Sequence, residues 1–77
     1  MKIYVVQTGD GPVYFRGDRK AYKMKAMEMA ADMVLMMDSL RYDEEDTIRV
    51  KDAKGNREWD KLFEVLKDCY AIREEEL

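Results

Sequence analysis

The chain has no histidine, one cysteine and one proline in 77 residues. Without histidine, the commonest general base and the commonest metal-binding nitrogen are both missing. A lone cysteine, Cys69, cannot close an intramolecular disulfide, and the Cys/His sets of structural zinc cannot be assembled. A chain this short buries a modest share of its surface, so its small margin of stability must come from packing, alone or with oligomerisation. The scarcity of cysteine fits a reducing compartment. No apolar run approaches the ~20 residues of a membrane span. The opening MKIYVVQTGD reaches turn-forming residues too soon for a secretory leader. These features predict a cytoplasmic protein that does not enter a membrane.

Chemistry is equally sparse. Gly9, Gly11, Gly17 and Gly55 are scattered through turns and match neither a P-loop nor a dinucleotide fingerprint. Ser39 has no base spaced to activate it. Cys69 falls on the apolar face of a predicted helix, where a thiol is usually a small buried hydrophobe. Asp43, Glu44, Glu45 and Asp46 are consecutive carboxylates, and Glu28 and Asp32 stack one helical turn apart. Neither set has the ligand spacing and closing glutamate of a calcium loop, so both read as solvated charge. The sequence predicts no catalytic residue, no metal site and no cofactor.

What is present is apolar and charged residues in quantity, 47% and 40% of the chain. That balance predicts a folded domain with a densely charged surface. The net charge of −3 is unevenly spread. Residues 1–25 hold six basic side chains against two acidic, and residues 26–77 hold eight against fifteen.

Hydrophobic periodicity then orders the chain. KIYVVQ is β-branched and aromatic with apolar residues on both faces, as in a central strand. TGDGP is a turn, and Val13–Arg16 returns as a second strand, giving a hairpin over residues 2–16. Gly17-Asp18 predicts a turn and an N-cap, opening a long helix over 18–40. Its expected core seam runs through Tyr22, Ala26, Met29, Met33, Met36 and Leu40, with Met37 beside it. A second apolar line, Met24, Met27, Ala31 and Leu35, faces either the second helix or a partner. RYDEED reads as an acidic connector and Thr47–Lys51 as a strand with one wet face. Residues 57–72 read as a helix with Trp59, Leu62, Phe63, Leu66, Cys69 and Tyr70 on one side. A competing reading makes Asn56–Trp59 a fourth strand. Residues 73–77 read as a frayed acidic tail. The expectation is one α+β domain over residues 1–77, in the order β-β-α-β-α, with two helices on a three-stranded antiparallel sheet.

The entry straight into MKIYVVQ, the hairpin-helix-strand order and the acidic DEED connector resemble small phage-encoded anti-defence proteins, anti-CRISPR inhibitors among them. The likeness covers general organisation across the chain rather than a motif, and no functional residues carry over. It implies stoichiometric binding to a nuclease or to its nucleic-acid groove.

Three readings follow. The first is a non-enzymatic inhibitor or modulator of a larger protein, a nucleic-acid-binding one among the candidates, working through Tyr42, Asp43, Glu44, Glu45 and Asp46, whose carboxylates can imitate a phosphate row. The second is a structural protein that dimerises through Met24, Met27, Ala31 and Leu35. The third, disfavoured by the acidic balance and by a split footprint, is direct nucleic-acid binding through Arg16, Arg19, Lys20 and Lys23.

Overall fold

The structure, a computed structural model, describes residues 1–36 and 42–77. A hairpin opens the fold, with β1 over Lys2–Thr8 and β2 over Gly11–Arg16. Thr8 pairs with Gly11 across the turn. Gly11 has φ 114°, a conformation that L side chains rarely adopt. The Thr8 hydroxyl ties the turn, donating to the Gly11 carbonyl at 2.6 Å and accepting from the Asp10 N–H at 3.2 Å. At the other end of the hairpin, the Gly17 N–H donates to the Lys2 carbonyl at 2.8 Å. A Cβ at Gly17 would lie 2.6 Å from that carbonyl oxygen, so only glycine permits the approach.

Helix α1 spans Lys20–Met36, α2 spans Glu44–Gly55, α3 spans Trp59–Asp68, and β3 closes the chain at Ile72–Glu76. The sheet order is β2-β1-β3, antiparallel throughout. The α+β class, the three-stranded antiparallel sheet and the central place of β1 therefore stand. The order is β-β-α-α-α-β, with three helices rather than two.

Two corrections account for the change. Residues 47–51 are helical, not extended. Five alternating residues are too few to distinguish the two periods. In the longer window, Val50 and Ala53 are buried one turn apart, while Ile48 is half exposed. The third strand is instead the acidic tail. Its Ile72 is buried against Val6, and its charges decorate an edge strand, with Lys2–Glu74 at 3.7 Å and Arg73–Glu75 at 2.8 Å. Charged outward side chains read as disorder in a single sequence, yet suit a sheet edge. The helix predicted over 57–72 is correspondingly shorter, and Asn56–Trp59 is no strand.

Helix α1 begins later than expected. Its first turn bonds to the Arg19 carbonyl, and the Asp18 carboxylate pairs with Arg16 at 2.9 Å. Residues 37–41, including the end predicted for this helix at Leu40, lie outside the described residues. The buried face also differs. Ala26, Met27, Ala30, Ala31 and Val34 are buried, Met29 and Met33 are half-buried, and Met36 is exposed. Apolar residues surround most of this helix, so periodicity does not choose a face. Side-chain size does: α1 lies against the sheet and against both α2 and α3, and alanines permit the closest approach.

Helix α2 packs on α1 and α3 without approaching the sheet. Tyr4 and Val6 join the helices in the main core, where the Tyr4 and Phe63 rings meet edge to face at 5.7 Å. Ile3 and Val5 point to the opposite face, which carries no described helix. Val5 is nonetheless fully covered there, flanked by its cross-strand neighbours Tyr14 and Arg73.

Candidate functional site

The DEED segment is a helix start rather than a connector. Asp43 is the N-cap of α2, accepting from the Asp46 N–H at 2.8 Å, and Glu44, Glu45 and Asp46 fill the first turn. Carboxylates there oppose the positive end of the helix dipole. Asp43, Glu44 and Glu45 are exposed, whereas Tyr42 is buried in the core. Tyr42 therefore does not belong to an acidic surface; it anchors the chain just before the cap.

Asp46 is the least comfortable of the four. Burial pushes its carboxyl above the ordinary 3.8, the neighbouring Asp43 charge adds to the rise, and Arg49 at 3.9 Å opposes it. The folded state then binds this proton more tightly than the unfolded state. Its contribution to stability is complete below the unfolded pKa and is lost as pH rises through the folded one. Asp46→Asn is expected to raise stability against urea at about pH 7 and to make little difference near pH 3, where the wild-type carboxyl is neutral.

The end of α3 lies beside this helix start. Arg49 bridges the two, 3.4 Å from Asp68. The Cys69 thiol donates to the Leu66 carbonyl at 3.6 Å, and burial pushes its pKa up, so it is a poor nucleophile at neutral pH. Tyr70, expected on the buried face, is 84% exposed.

Helices α2 and α3 close alike. The Arg57 N–H donates to the Lys54 carbonyl and the Glu58 N–H to Ala53; the Tyr70 N–H donates to Lys67 and the Ala71 N–H to Leu66. This paired closure needs a left-handed residue, usually glycine. Here the residues are Arg57 at φ 56° and Tyr70 at φ 63°. An L side chain in that conformation costs about 1–2 kcal/mol. Both strained residues project large side chains at the surface, and reasoning from hydrophobic pattern found neither.

The line Met24, Met27, Ala31 and Leu35 is partly covered within the chain. Met27 and Ala31 are buried, and Met24 and Leu35 are half-buried against the core. Met24 and Met27 help to floor a groove of about 550 Å³ between α1 and the first turn of α3. Lys20 and Lys23, noted in the sequence as part of a split basic patch, stand on its α1 side, and Arg57 and Lys61 stand opposite. Trp59, 38% exposed, forms part of the wall. The neighbouring basic residues Arg16 and Arg19 do not line it: Arg16 is held by Asp18, and Arg19 lies 6.0 Å from the Tyr22 ring.

Among the described residues, no group of acidic, cysteine or histidine side chains converges to hold a metal ion, and no helix is long and apolar enough to cross a membrane. No family model matches the chain, and no curated protein or solved structure matches it either.

Proposed function

We propose that the protein is a non-enzymatic binding module that inhibits or modulates a larger protein through the end of the molecule where α2 starts and α3 stops. One observation carries this reading. Tyr70 is kept exposed, at a strained φ of 63°, and shares a surface hollow with Tyr42, the residue before the Asp43 cap of the acidic first turn of α2. Exposed aromatics ringed by charge are characteristic anchors of protein interfaces. The carboxylates of Asp43, Glu44 and Glu45 are fixed on a capped helix, so a partner's lysines and arginines meet them with little ordering cost. A basic, nucleic-acid-binding surface is the complementary partner, and attraction to it weakens with salt.

Dimerisation through the methionine face is the weaker reading, because Met27 and Ala31 are already buried in the core and have little surface left for a second copy. The test uses Glu44→Lys with Glu45→Lys, which leave the Asp43 cap in place. A partner identified by pull-down from the native host should bind the wild type in a salt-dependent manner, and the double variant at least tenfold more weakly. Equal binding by the double variant removes the acidic end from the function.

A further inference from the structure

We infer that the groove between α1 and the first turn of α3 binds a short stretch of single-stranded nucleic acid, with a base stacked on Trp59 and phosphates held by Lys20, Lys23 and Arg57. The groove lies apart from Asp43–Asp46 and Tyr70, so this inference does not depend on how those residues are used.

Three independent features meet there. The first is shape. The 550 Å³ groove adjoins a second hollow of about 210 Å³, and Trp59, Met24 and Met27 wall both. A half-exposed indole shared by two hollows, with two methionines beside it, offers planar rings a stacking surface, and every base has a face to stack.

The second is charge. The larger groove is lined by four cationic and two anionic side chains on a chain whose net charge is −3. Lys20 and Arg57 form no ion pair among the described residues. Lys23 has, among the described residues, the Phe63 ring 4.2 Å from its ammonium and no ion pair. Of the two anionic residues, Glu58 is held by Lys61 at 3.9 Å. Asp60 remains to oppose a ligand. The Glu58 side chain makes no cap to α3, so the positive end of that helix lies uncapped by its own N-cap residue beside the cations.

The third is strain. Arg57 occupies a left-handed position that glycine would fill freely, and it brings a guanidinium to the rim of the groove.

The distribution of charge selects the ligand. Four cations line the larger groove; the smaller hollow is lined by Glu28, Asp32 and a single cation, Lys54, which Asp32 holds at 3.1 Å. A uniformly acidic peptide crossing both would meet those carboxylates. A nucleotide chain keeps its phosphates at one end and turns its uncharged bases toward the other.

Trp59 is the sole tryptophan, so its emission reports on the groove directly. The probe is a labelled oligodeoxythymidylate of about eight nucleotides, followed by Trp59 quenching and by label anisotropy. Quenching is expected at low salt, with affinity falling roughly tenfold between about 50 and 200 mM salt, as for two or three phosphates. Trp59→Leu should bind roughly tenfold more weakly with an unchanged circular dichroism spectrum. Arg57→Gly is the sharper variant. It should raise the unfolding midpoint, because the strain is relieved, and weaken binding roughly five- to tenfold.

Absence of quenching at low salt overturns the inference, as does an Arg57→Gly variant that is more stable and binds equally well. Polyglutamate competing as effectively as the oligonucleotide would show a general polyanion patch, and thymidine monophosphate binding as tightly as the oligonucleotide would show a mononucleotide pocket; either result overturns it too. Unchanged oligonucleotide binding by the Glu44→Lys, Glu45→Lys variant would keep this site separate from the acidic end.

Discussion

Ending the chain after Ala71 is expected to leave it unfolded. The deletion removes β3 and with it Ile72, which is 1% exposed. Losing the burial of such a side chain costs about 1.5–3 kcal/mol. It also strips one edge of β1, whose residues Lys2–Val6 pair with Ile72–Glu76, at about 1 kcal/mol for each ladder hydrogen bond. Val5 and Ile3 would lose Arg73 and Glu75 beside them on the face without a helix. A domain holds only about 0.05–0.15 kcal/mol per residue in reserve. The expected result is loss of the cooperative thermal transition by circular dichroism. A frayed tail would behave oppositely, and a truncated chain melting at the wild-type midpoint would show that β3 contributes nothing.

Ala30→Leu is expected to destabilise by about 1–3 kcal/mol, since a fully buried alanine on the close-packed face of α1 leaves no room for three more carbons. Met36→Ala is its companion. Were Met36 in the core, truncation would cost about 2–5 kcal/mol. At 78% exposure it should change stability by less than about 0.5 kcal/mol. Urea titrations of the two variants compare the two faces of the helix directly, and the opposite ranking would restore the methionine seam.

These pairs mark what the residues disclosed and what they withheld. The hairpin and the central position of β1 were legible because TGDGP is strong turn chemistry and KIYVVQ is apolar on both faces. The long helix was legible from its length. Which side of it is buried was not, because methionine and alanine are both apolar and only three-dimensional crowding separates them. Helix α2 was hidden by TIRVK, whose alternation outweighed the better signal beside it: an aspartate followed by three acidic residues is the signature of a capped helix start. The same misreading turned Asp43–Asp46 into a connector and brought Tyr42 to the surface. The groove was only half visible. Lys20 and Lys23 were noted, but Arg57, Trp59 and Lys61 reach them through a turn between two helices that the chain pattern had drawn as strand and helix.

The place of β1 has a consequence in time. It is synthesised before its two partners; β2 follows at once, and the partner for its other edge is 66 or more residues away, at Ile72–Glu76. Contacts that distant in sequence close slowly. Through that interval the most apolar strand of the protein has one edge unpaired, a state that invites pairing with another chain. The charged residues of β3 protect the edge of the finished sheet, and they protect nothing until the last strand is in place.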